Sequence, residues 1–163
     1  MKKTGSGIVV AALCAGLLAA ALPALAADEV SRAEYKAMVE PICKTNTEAN
    51  DKILKGVRSK VQQGKLKPAG RQFIRAAAAL QKALRQLKAV PRPAADEERL
   101  SEWLKRIGDQ QVLLQKIGKA LIEEKRRKAE SLSAKLFTGA RLTNAVVVSF
   151  GFNHCRFETS NYT

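Results

Sequence analysis

The sequence is poor in the side chains that most often carry chemistry. It holds one histidine, His154, one tryptophan, two methionines and three cysteines in 163 residues, and aromatic residues make up only 5% of it. With one histidine, no multi-histidine metal site can be built, and the cysteines lack zinc-ligand spacing. A CxxCH haem attachment motif is absent. So are a GxSxG elbow, a phosphate-cradling glycine loop, an HExxH helix and spaced acidic metal ligands. Glu97 and Glu98 form a carboxylate pair, but at the head of a helix, dipole compensation accounts for both. No residue can therefore be named for catalysis, and a non-enzymatic role is expected. Alternating strand patterns are also scarce, so the β-prone triplet Val146-Val147-Val148 has no partner strand in sight. No repeat of fixed length and no low-complexity linker divides the chain.

What is present begins at the N-terminus. Lys2 and Lys3 precede an apolar stretch from about Ile8 to Leu22, and Pro23-Ala24-Leu25-Ala26 follows. Ala24 and Ala26 make the small-x-small pattern of a signal-peptidase site, which predicts a signal peptide over 1–26 and a helical domain over 27–163. The competing reading is an uncleaved anchor, because the uncharged run to Ala27 is about the ~20 residues needed to span a bilayer as a helix. Lipoprotein processing at Cys14 fits poorly, with Leu13 where a small residue belongs. The expected location is secreted, periplasmic or otherwise in the cell envelope, with a membrane-anchored form as the alternative.

The net charge is +14, from 29 basic and 15 acidic residues, and Lys2 and Lys3 account for two units of it, leaving +12 on the remainder. Such a surface is drawn to polyanions. Export disfavours nucleic acid as the ordinary partner and favours anionic lipid, a wall polymer or an envelope protein.

Helical periodicity dominates residues 27–163. Ser31-x-x-Glu34 is a capping box and should start a first helix. Its apolar positions Tyr35, Met38, Val39, Ile42, Ala49, Ile53, Val57 and Val61 share a broad face. Pro41 is expected to kink or break it near Glu40, and the run gives out at Gly64-Lys65-Leu66-Lys67-Pro68. A second helix over about Ala69 to Val90 carries the seam Phe73, Ala77, Leu80, Leu84 and Leu87, and Pro91-Arg92-Pro93 stops it. A third opens at Asp96-Glu97-Glu98 and buries Leu100, Trp103, Leu104, Ile107, Leu114, Ile117 and Leu121. Gly108 and Gly118 inside it suggest close packing or a bend. Residues 123–128 are the expected turn into a fourth helix, which buries Ala129, Leu132, Leu136, Gly139, Thr143, Val147 and Phe150 and is capped by Gly151. The fold class that follows is all-α, an antiparallel up-down-up-down four-helix bundle.

In that topology Cys43 and Cys155 lie at the same end, and in an oxidising compartment they are expected to form a disulfide. Trp103 should pack near it. An alternative function is a b-type haem or other small ligand in the bundle core, with Met38 and His154 as haem ligands. The basic residues also cluster. Lys55, Arg58, Lys60, Lys65, Lys67, Arg71 and Arg75 surround the first turn, and Lys125, Arg126, Arg127 and Lys128 occupy the third. Both turns belong to the pole opposite the cysteines, which makes Lys65, Lys67, Arg71 and Lys125 to Lys128 candidate contacts to an anionic surface. Asn161-Tyr162-Thr163 is a formal glycosylation acceptor at the extreme C-terminus.

Two short elements carry a resemblance. Pro41-Ile42-Cys43 with Glu48-Ala49-Asn50, and Thr143-Asn144-Ala145 followed by Gly151-Phe152-Asn153-His154-Cys155, resemble a group of exported bacterial helical proteins of uncharacterised function. These share an early cysteine and a closing Gly-Phe-x-x-Cys element. The resemblance implies a helical, cysteine-closed exported domain and no particular activity.

Overall fold

The computed structural model describes residues 29–157. The expected signal peptide, with Cys14, Ala24 and Ala26, lies outside the described residues, as does Asn161-Tyr162-Thr163. Among the described residues there are five α-helices and no strand: α1 (Arg32–Leu54), α2 (Val57–Gln62), α3 (Leu66–Ala89), α4 (Glu97–Ile122) and α5 (Arg126–Val146). Single 3-10 turns cover Ala94–Asp96 and Val148–Phe150. No described helix is long and apolar enough to cross a membrane.

The capping box forms as expected: Glu34 N donates to Ser31 Oγ at 3.2 Å, and the Glu34 carboxylate accepts from Ser31 N at 2.8 Å. Of the expected kink or break at Pro41, the break does not occur: α1 continues through it to Leu54. Proline leaves the Ala37 carbonyl without its helical donor, but Ala37 is exposed and water can serve that carbonyl. The chain breaks instead at Lys55-Gly56, where Gly56 takes a left-handed φ of 70° that any side chain would disfavour. The single expected helix is thus two, α1 and the short α2. A further correction concerns Met38, which is 37% exposed and outside the core. The buried stripe runs Tyr35, Val39, Cys43, Asn50, Leu54 and Val57, a spacing of fours and threes that places Met38 at its edge.

Leu66-Lys67-Pro68 was expected to be breaker sequence but forms the first turn of α3. The first turn tolerates proline because its amides have no intrahelical acceptor. The seams of α3 and α4 are buried as the periodicity required. They meet glycine on glycine: a Cβ on Gly118 would stand 2.8 Å from the Gly70 carbonyl oxygen, and one on Gly70 2.6 Å from the Gly118 oxygen. Gly118 therefore serves close packing, whereas Gly108 has only Leu84 Cδ2 at 3.5 Å. The fourth helix ends early, at Val146, and Val147 is buried at the start of the 3-10 turn. Gly151, with φ of 58°, caps that turn rather than α5.

Gln72 near the start of α3 donates through Nε2 to the Ile53 carbonyl at the end of α1, at 2.6 Å. Lys67 at the start of α3 pairs with Glu124 just beyond α4, at 3.6 Å. α1 packs on α3, α3 on α4, and α4 on α5. The seam between α1–α2 and α5 is packed more loosely, and two clefts lie along it.

Candidate functional site

The two poles of the molecule are built differently. At one pole the segment after α5 folds back onto α1. The Glu40 carboxylate accepts from the backbone amides of Asn153 and His154, and Lys36 Nζ donates to the Gly151 carbonyl. Phe152 is buried against Trp103 and Phe150, with ring centroids 5.4 Å away in each case, and lies 6.5 Å from Tyr35. Cys43 and Cys155 are disulfide-bonded, with Cα atoms 4.9 Å apart. Asp96 is buried and held by the Arg32 guanidinium, which also lies over the Phe150 ring. Hydrogen bonds from Arg32 push the Asp96 carboxyl below its ordinary range. Gly151, the backbone amides of Asn153 and His154, and Cys155 thereby fasten the C-terminal segment to α1, while Phe152 ties it to Trp103 of α4.

Beside the bridge lies a small recess of about 50 Å³, lined by Leu80, Leu87 and Ile107 as well as by Asn50, Trp103 and His154. Asn50 Oδ1 and Trp103 Nε1 are buried without a protein partner. The space suits one or a few waters, which could satisfy both atoms. His154 is exposed, as is Met38, so the alternative haem ligands are not a pair of core-facing side chains.

The opposite pole carries the charge. Two helices, α3 and α5, start there, and neither has an acid in its first turn. Lys65 precedes α3 and Lys67 lies in its first turn; Lys125 precedes α5, and Arg126, Arg127 and Lys128 form its first turn. Cations at a helix N-terminus oppose the dipole, each at a cost of about 0.3–1 kcal/mol. The helices starting at the other pole follow the usual rule, with Glu34 in α1 and Glu97 and Glu98 in α4. The basic pole is partly self-neutralised. Lys67 pairs with Glu124, Lys125 with Glu123 at 2.8 Å, and Arg126 with Glu130 at 3.4 Å. These are solvent-exposed pairs worth little, although the hydrogen bond from Lys125 does lower the Glu123 carboxyl from its ordinary range. Lys65, Arg71, Arg127 and Lys128 are exposed and form no ion pair among the described residues. The seven expected contacts thus lie on or beside the turns that meet at this pole.

A feature not foreseen from the sequence adjoins them. Between α2 and α5 the seam opens into a cleft of about 380 Å³. Its floor is Val57, Phe73, Ile117 and Leu121, one wall is Val61, and the α5 wall is Ala129, Ser133, Ala134 and Phe137. Arg58 and Arg126 border it, with Gln62 and Glu130. Arg126 Nη2 donates across it to the Val61 carbonyl at 3.0 Å. The cleft exists because Gly56 diverts α2 and because α5 presents small side chains opposite. Gly56 inside the first apolar run was the available signal.

No protein family, curated protein or solved structure matches the chain.

Proposed function

We propose that the chain is an exported, non-catalytic up-down-up-down helical module of the cell envelope that contacts an anionic surface through its basic pole. The observation that carries this reading is the breach of helix-dipole preference at that pole. Two helix starts bear six cations between them and no acid in their first turns, while the other two long helices carry acids there, Glu34 behind Arg32 in α1 and Glu97 and Glu98 ahead of Arg99 in α4. A local rule broken at one end of a molecule and obeyed at the other points to function rather than folding. The amide ends of α3 and α5 add partial positive charge to that of the side chains. The resemblance to exported cysteine-closed helical proteins and the signal-peptide pattern support an envelope location, where anionic lipid, a wall polymer or an acidic protein face is at hand.

The test is flotation of the secreted form with vesicles of phosphatidylglycerol mixed into phosphatidylcholine, against phosphatidylcholine alone. Binding confined to the anionic vesicles and weakening steeply with salt is expected. Equal binding to both vesicle types would remove the surface reading.

A further inference from the structure

We propose that the cleft between α2 and α5 holds a single acyl chain bearing an anionic head group, a long-chain carboxylate, with Arg58 and Arg126 receiving the head group. This rests on the reading of the basic pole as the anion-facing end and names the class of molecule held there.

The argument starts from what the cleft lacks. Ala129, Ser133 and Ala134 leave unfilled a space that larger apolar side chains such as leucine or methionine on α5 would occupy at a cost in helix propensity of only ~0.2 kcal/mol. The floor and walls that remain are almost wholly aliphatic or aromatic, so an occupant must be apolar along its length. At about 380 Å³ the cleft is near the lower end of small-molecule pockets, roughly 300–1,000 Å³, which suits one chain better than two.

Charge selects the head group. Arg58 is exposed and has no ion pair among the described residues, and Arg126 already lies across the cleft, bonded to α2 through the Val61 carbonyl. Glu130, the acid on the rim, is engaged by Arg126 at 3.4 Å. A carboxylate would give Arg58 a partner and could share Arg126, since the planar guanidinium binds carboxylates with two parallel bonds. A neutral chain would leave Arg58 unpaired. A second copy of this protein would bring the same arginines and the same net charge of +14 against them.

The experiment measures binding of dansyl-undecanoate to the secreted form by fluorescence, with palmitate and hexadecanol as competitors. One saturable site per chain, emptied by palmitate, is expected. Ala134→Phe and, separately, Ser133→Phe fill the cleft and should weaken palmitate binding at least roughly tenfold. Their helical circular dichroism and retention on a phosphate-bearing resin should not change. Arg58→Gln combined with Arg126→Gln should weaken palmitate by roughly tenfold while leaving hexadecanol unchanged. Absence of stoichiometric binding in the wild type, or undiminished palmitate binding in both filled variants, overturns the proposal. Binding to anionic vesicles without palmitate uptake would leave the charged pole standing and eliminate the acyl site. Palmitate uptake without vesicle binding would keep the acyl site and remove the surface reading.

Discussion

Replacing Cys43 and Cys155 together by alanine is expected to remove a large share of the stability of this domain, and the magnitude follows from the loop the bridge closes. The two cysteines are 112 residues apart in sequence. In the chain-entropy treatment a loop of that order restricts the unfolded state by roughly 4.7 kcal/mol, against a total of about 5–15 kcal/mol for an ordinary domain. The bridge is also the covalent link between α1 and the segment after α5, two parts whose shared seam is otherwise loosely packed. Without it, that segment is held by the Glu40 carboxylate, Lys36 and the burial of Phe152. Urea titration followed by far-ultraviolet circular dichroism and by emission of the single Trp103 separates the two consequences. A global effect appears as coincident transitions shifted by about 4–5 kcal/mol, a steeper denaturant dependence because the unfolded chain is more expanded, and a midpoint temperature lower by roughly 10–20 °C. A merely local release appears as a Trp103 signal that departs from the dichroism. Coincident transitions with a loss below about 1 kcal/mol would refute the loop argument.

The two glycines of α4 should behave oppositely. Gly118→Ala drives a Cβ against the Gly70 backbone and against Ile74, and overpacking of this kind costs about 1–3 kcal/mol. Gly108→Ala has room and should stabilise by about 0.5–1 kcal/mol through helix propensity; paired thermal melts check both. Burial pushes the Tyr35 hydroxyl up to about 12. Its stabilising contribution is intact below the unfolded value near 10 and lost as pH rises from about 10 to 12, by roughly 2–3 kcal/mol in all. Tyr35→Phe should flatten that alkaline limb of stability against pH at little cost below it, since the hydroxyl has no protein partner. Asp96 gives the opposite slope: its lowered carboxyl stabilises above the unfolded value near 3.9 and ceases to do so as pH falls through the folded value. Asp96→Asn should remove that acid-side dependence, measured by the same titrations.

The all-helical class was legible because the seams at Phe73 to Leu87 and Leu100 to Leu121 repeat with helical spacing over long runs. The pairing of Cys43 with Cys155 was legible because the expected export, the two cysteines left once Cys14 is set aside with the expected signal peptide, and the helix count all led to the same end of the molecule. Helix ends were harder to read. Pro41 passes inside α1 because the carbonyl it deprives of a donor belongs to Ala37, an exposed residue, and Pro68 opens α3 because a first turn needs no amide donor there; both depend on position within the helix. The expected core place for Met38 failed for a related reason, since a broad apolar face has edges and only packing decides which residues fall on them. Of the candidate site, the cations could be grouped from the order of the turns. The cleft beside them arises from a break at Gly56 and from small side chains on α5, a combination that periodicity does not distinguish from a close helix contact.

The most direct test of the basic pole compares two variants of equal net charge on anionic vesicles. One carries Lys125→Gln, Arg126→Gln, Arg127→Gln and Lys128→Gln; the other carries Lys82→Gln, Arg85→Gln, Lys88→Gln and Lys105→Gln, exposed positions on α3 and α4 away from that pole. Each cation held at an anionic membrane is worth about 1 kcal/mol. The first variant should therefore lose roughly a thousandfold in affinity for phosphatidylglycerol vesicles, while the second stays within about tenfold of the wild type. Equal losses in the two variants would mean that overall charge alone draws the protein to the surface, and would contradict an oriented contact through the pole.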